Sequence, residues 1–213
     1  MPLSGSSAFL GKSASKKQNK TRRHPHMPLF WYSDTEQARE AALSSRRPIL
    51  LQFEREHCAG CRKLEETTYL NQSVQEELSN WFIPLRLNIL QQRALRSQLA
   101  AVWTPSFYVL DYHLKSYFSL SGYLPVEDFR LFLRLALAHY LIPRGRYAQA
   151  IETLNEGISL FPENPRTPTL LYWRGIAEYL SGWNKARFYQ TLTELREKYP
   201  NSAEARMWPW EEE

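Results

Sequence analysis

Apolar and polar positions along this chain switch between two periods, and the switches mark out its elements. Leu29-Phe30-Trp31-Tyr32 is a short apolar run suited to an edge strand, and Ser33-Asp34-Thr35-Glu36 reads as a capping box. In that box Ser33 accepts from the Glu36 backbone and opens a helix running to about Ser45, stopped at Arg47-Pro48. Ile49-Leu50-Leu51-Gln52-Phe53 is compact and mostly apolar, the pattern of a buried parallel strand. A polar loop, Glu54 to His57, leads into Cys58-Ala59-Gly60-Cys61 and a helix from about Cys61 to Tyr69. Asn71 interrupts it, and Ser73-Val74-Gln75-Glu76 reads as a second capping box. A strand is expected over Phe82–Leu87, where Pro84 is awkward in any central position.

Gln91 to Ala101 has helical spacing, with Leu95 and Leu99 on one face. Ser106–Leu110 and Leu114–Leu120 are strand-like, joined through Asp111-Tyr112-His113 as a hairpin. A long helix is expected over Val126–Leu141, with Phe129, Phe132, Leu133, Leu135, Ala136 and Tyr140 as its apolar stripe. The order β-α-β-α-β-α-β-β-α predicts an α/β fold, a mixed sheet flanked by helices on both faces. After Pro143 the pattern is helical only: one helix from Gly145 to Phe161, then two more over about 170–181 and 183–198. Ala150 recurs at Ala186 and Pro162 at Pro200, an offset of 36–38 residues that falls among helical-repeat periods.

Charge changes this picture once it is located. The chain has 213 residues and a net charge of +5, yet residues 1–27 hold six basic side chains and no acid. The remainder carries 21 basic against 22 acidic groups, so the folded part lacks the basic excess of a nucleic-acid module. Residues 1–28 form a Ser/Lys/Arg-rich segment too poor in apolar groups to order itself. A solvated extension, a transit peptide and a loose contact with an anionic surface or a nucleic acid all fit that composition. No apolar run approaches the roughly 18–20 residues needed to cross a bilayer, so no membrane span is expected. With no export signal in view the cytoplasm is the default compartment, the periplasm being the alternative if the N-terminus is misassigned.

The chemistry concentrates in the only two cysteines, Cys58 and Cys61, separated by two residues at a strand-to-helix junction. A thiolate at the first position sits where free backbone N–H groups and the positive end of the helix dipole stabilise it. Cys58 is then the attacking sulfur, and Cys61, one turn further in, resolves the mixed disulfide. Zinc or an iron–sulfur cluster wants four ligands, and with no further cysteine and His57, His113 and His139 lacking paired spacing, no metal is expected. Two inert buried cysteines are the remaining alternative.

Ile49 to Lys63, with its strand, polar loop and Cys58-Ala59-Gly60-Cys61, resembles the active-site segment of thioredoxin-like proteins. Lys63-Leu64-Glu65-Glu66-Thr67-Thr68-Tyr69 is similar to the branch containing the C-terminal domain of the transmembrane disulfide reductase. Trp103-Thr104-Pro105-Ser106-Phe107 resembles the family's cis-proline loop, and Gly122 matches the glycine after its last strand. The likeness covers residues 29–141. It implies a thiol–disulfide oxidoreductase acting on protein cysteines, with an upstream redox partner and no cofactor beyond the Cys58–Cys61 disulfide. It also implies that the Thr104 backbone binds an extended substrate beside Trp103 and His57, and that Pro105 shields the sulfurs. Two positions depart from the family: His57 stands where a Trp is common, and Gln52 where a buried Asp is usual. A carboxamide transfers no proton, so Glu56 is the candidate base for Cys61, with a solvated loop acid as the equal alternative.

Residues 145–165 resemble the second helix of a tetratricopeptide repeat, and 171–202 a divergent second unit. The expected architecture is therefore a thioredoxin-like domain (29–141) followed by a small all-α tetratricopeptide-like tail (142–213). That tail packs on the domain, docks a protein partner, or both. A second functional reading follows, a chaperone or adaptor whose repeats bind clients while the thioredoxin fold is accessory. Trp208 and Trp210 are either a cap for the last helix or an exposed contact.

Overall fold

A computed structural model describes residues 29–207. The basic segment 1–28 and the Trp208–Trp210 stretch lie outside the described residues. Four strands, β1 (Ile49–Glu54), β2 (Ile83–Asn88), β3 (Ser106–Leu110) and β4 (Ser116–Ser121), form one sheet in the order β2-β1-β3-β4. β1 runs parallel to β2 and antiparallel to β3, and β3–β4 is an antiparallel hairpin. The sheet is mixed, with helices on both faces. Side chains alternate across it as the pleat requires. Ile49, Leu51 and Phe53 meet α1 (Thr35–Ser45) and α4 (Arg93–Gln98) through Ala38, Ala42 and Leu95. Leu50, Phe107 and Val109 meet α2 (Ala59–Glu66), α3 (Gln72–Trp81) and α5 (Val126–Leu141) through Leu64, Leu78 and Phe129.

Several boundaries differ from the sequence expectation, each for a local reason. Leu29–Tyr32 forms no strand and makes one parallel bridge, Tyr32 to Leu85. The first helix is capped by Asp34, not Ser33: its carboxylate accepts from Gln37 N at 2.8 Å. Serine and aspartate cap about equally well, and it is Asp34 whose extended backbone, φ −119° and ψ 129°, sets its carboxylate on the Gln37 N–H. The third helix is likewise capped by Asn71 through Val74 N, so Ser73 falls inside the first turn. α2 begins at Ala59, and a separate 3₁₀ turn, Thr68–Leu70, carries Tyr69. α4 spans only Arg93–Gln98, because Ala101 N–H reaches back to Arg96 O while Ala100 adopts a left-handed backbone. β4 starts at Ser116: the Asp111 carboxylate collects the His113 and Lys115 N–H groups and holds the turn open.

Pro84 is accommodated because β2 lies at the sheet edge. Ile83 N–H bonds inward to Pro48 O, whereas Arg86 N–H bonds outward to Tyr32 O. The N–H that proline lacks would point outward, where no strand waits for it.

Beyond α5 lie α6 (Tyr147–Leu160), α7 (Thr167–Gly182) and α8 (Lys185–Lys198). α7 and α8 start at Thr167 and Lys185 instead of about 170 and 183, the latter because Asn184 caps it through Arg187 N. α6 and α7 pack directly on α5, sharing its core through Ala150, Leu154, Leu170 and Ala177. α5 is thus buried on two sides, which explains why Leu131, Leu137 and Ala138, outside the expected stripe, are also buried. Arg134 is 0% exposed at this junction. Its guanidinium meets Glu77 on α3 at 2.8 Å and Glu156 on α6 at 3.2 Å, above the Trp81 ring. Gly157 leaves room for it, since a Cβ there would lie 2.7 Å from Arg134 Cδ. Among the described residues no helix is long and apolar enough to cross a membrane.

Candidate active site

The strand β1 delivers the chain to an exposed turn, Arg55–His57, in which His57 takes a left-handed backbone, φ 57°. That turn aims Cys58 at the start of α2. Cys58 is the N-cap, in extended conformation, and its Sγ accepts the Cys61 N–H at 3.1 Å. The two cysteines are joined as a disulfide and are 9% and 7% exposed. Burial hardly separates them, so position must. Cys58 occupies the place where backbone donors and the helix dipole favour an anion, and Cys61 lies inside the first turn.

Pro105 approaches the same helix end. The Thr104–Pro105 peptide bond is cis, and both residues are buried. The loop is held by the Gly122 N–H, which donates to Pro105 O at 2.8 Å. Contact with the cysteine pair is made at Gly60: a Cβ there would lie 2.8 Å from Pro105 Cδ and 3.7 Å from Tyr123 Cβ. Tyr123 closes this side. Its hydroxyl lies 3.2 Å from Thr67 Oγ1, and the Lys63 ammonium sits 4.9 Å from its ring centroid. Trp103 is 61% and Val102 85% exposed, an apolar lip beside the buried proline. Gly60 and Tyr123 were not singled out in the sequence; a glycine between two cysteines facing a Thr-Pro pair was the available signal.

The acid–base groups fall differently. Gln52 is fully buried on the α2-facing side of β1, and its Oε1 accepts the Tyr69 hydroxyl hydrogen. Its Nε2 has no hydrogen-bond partner among the described residues. Glu56 and His57 are exposed on the turn. Glu54, expected at the start of a polar loop, is instead the last residue of β1 and only partly exposed. Burial raises its pKa above the ordinary carboxylate value, an effect the Arg86 guanidinium opposes and the neighbouring Glu65 adds to. Arg86 lies 3.5 Å from Glu54 and 2.5 Å from Glu65, with its guanidinium 4.3 Å over Trp31. Among the described residues no group of three or more His, Cys, Asp or Glu side chains could hold a metal ion.

Residues 35–137 match the family model of the thioredoxin-like domain. No curated protein matches significantly. Among solved structures, the chain is similar to the oxidised C-terminal domain of Neisseria meningitidis DsbD, at 18% identity, covering 47% of this chain and 93% of that one, with a TM-score of 0.40. It is also similar to a thioredoxin from Thermus thermophilus, at 23% identity over 51% of this chain and 86% of that one, TM-score 0.46. A third is a DsbH oxidoreductase, at 19% identity over 52% and 83% of the two chains, TM-score 0.41.

Proposed function

Residues 35–137 form a thioredoxin-like domain, and on that premise we propose that the chain is a thiol–disulfide oxidoreductase acting on protein cysteines through Cys58 and Cys61. One observation carries the reading: the pair closes a disulfide at a helix N-terminus, with the Cys58 sulfur on a backbone N–H and Gly60 against Pro105. In the reducing direction the Cys58 thiolate attacks a substrate disulfide, one substrate sulfur leaves as thiolate, and a mixed disulfide forms. Cys61 then attacks Cys58 Sγ, expelling the second substrate thiolate and leaving Cys58–Cys61 oxidised. An external dithiol partner restores the reduced pair. The Thr104 backbone, with Trp103 and His57, forms the contact for an extended substrate segment in this reading. The exposed apolar lip at Val102 and Trp103 supports that assignment.

The test uses the full chain with insulin as disulfide substrate. Cys58→Ser abolishes reduction, while Cys61→Ser accumulates a mixed disulfide on Cys58 that alkylation and mass spectrometry detect. Full activity in Cys58→Ser overturns the proposal. A redox titration then gives the direction: a potential near about −270 mV marks a reductant, one near about −120 mV an oxidant.

A further inference from the structure

The helix α2 presents Cys61 and Glu65 on one stripe, since residues four apart lie about 5–6 Å from each other on a helix surface. Glu65 reaches across to Arg86 on β2 at 2.5 Å. Arg86 is in register with Gln52 on β1 and lies 3.5 Å from the Glu54 carboxylate. Two contacts thus pin the Cys61 stripe of α2 over the end of β1, where Glu54 emerges on the same strand face as Gln52. Gln52 cannot serve as a base there. A carboxamide accepts no proton at neutral pH, and its oxygen is already bound by Tyr69. Glu56 stands exposed on the turn, outside this cluster.

We propose that Glu54 takes the proton from the Cys61 thiol when the mixed disulfide is resolved; this deepens the exchange chemistry proposed above and rests on it. The proton of Cys61 Sγ–H passes to the Glu54 carboxylate. The resulting thiolate attacks Cys58 Sγ, the Cys58–Cys61 bond forms, the bond from Cys58 to the substrate sulfur breaks, and the departing thiolate is protonated by Glu54 or solvent. Partial burial brings Glu54 closer to a thiol in proton affinity than an exposed carboxylate is. The groups facing it are Arg86 from β2, which opposes that rise, and Glu65 from α2, which adds to it. Asn88, in register with Glu54, is uncharged, and Tyr69 is held neutral by burial.

Two readouts on the full chain test the proposal. In a Cys58→Ser background, the ultraviolet thiolate absorbance of Cys61 is titrated with and without Glu54→Gln. Removing a neighbouring anion moves the thiol midpoint to lower pH. In the two-cysteine protein, oxidation by glutathione disulfide is quenched with acid and alkylated over time. Glu54→Gln slows clearance of the Cys58–glutathione species by on the order of 10²-fold, and Glu54→Asp restores part of the rate. Unchanged titration with unchanged clearance overturns the proposal, as does accumulation caused by Glu56→Gln and not by Glu54→Gln. A shifted titration with no glutathionylated species in either protein overturns the exchange chemistry itself, and the proposal with it.

Discussion

Adding one methyl group at Gly60 tests the packing on which the site depends. The Cβ of Gly60→Ala would lie 2.8 Å from Pro105 Cδ, against about 3.5–4.0 Å for a comfortable carbon–carbon contact. Proline Cδ is bonded to the backbone nitrogen and cannot rotate away. The loop behind it is tied by the Gly122 N–H to Pro105 O and continues into β3. Either the first turn of α2 or the Thr104–Pro105 loop must therefore shift. Overpacking of this kind costs about 1–3 kcal/mol, and the better helix propensity of alanine returns at most about 1 kcal/mol. The net expectation is a loss of about 1–2 kcal/mol, or a fall in Tm of about 2–8 °C for a chain of this size. Because the shift separates the cysteine pair from the proline loop, insulin reduction should fall together with stability. Gly182→Ala is the control, since nothing lies within 4 Å of a Cβ there. Calorimetry and urea unfolding of both variants give the comparison. A Gly60→Ala protein as stable and as active as its parent would refute the packed geometry.

Arg134→Ala removes one of the two guanidinium partners of Glu77, Arg130 remaining at 2.5 Å; losing a charge-assisted hydrogen bond of this kind costs about 1.5–3 kcal/mol. The expected fall in Tm is about 3–12 °C, in a single transition if α5, α6 and α7 unfold as one body. A loss below about 1 kcal/mol, or melting of the tail alone, contradicts that packing. His139 stacks on Phe118 and lies against Trp173, and burial lowers its pKa from 6.5 to about 4. The neutral ring is favoured only in the folded state, so its contribution is whole above pH 6.5 and is lost as pH falls through about 4. The change is on the order of 3 kcal/mol. His139→Phe should flatten the acid side of a stability–pH curve from urea unfolding, and an unchanged slope argues against the burial.

The local patterns in the sequence were enough for features that depend on neighbouring residues. The CxxC spacing, the Thr104-Pro105 pair, the continuous apolar run of β1 and the bounds of α5 all express short-range rules of period, capping and backbone freedom. Cap choice lay at the limit of those rules: Ser33 and Asp34, or Asn71 and Ser73, are neighbours of similar propensity, and only the final entry geometry of each helix selects one. Other features depend on which elements meet, and no local pattern encodes that. Pro84 is harmless because β2 is an edge, a fact set by sheet order. Arg134 looks like an interruption of an apolar helix until α3 and α6 bring Glu77 and Glu156 to it. Glu54 reads as the start of a loop, and becomes a partly buried carboxylate only when Arg86 and Glu65 close around it. Burial and charge pairing are properties of the assembled layers, and there the tertiary structure, not the sequence pattern, decides.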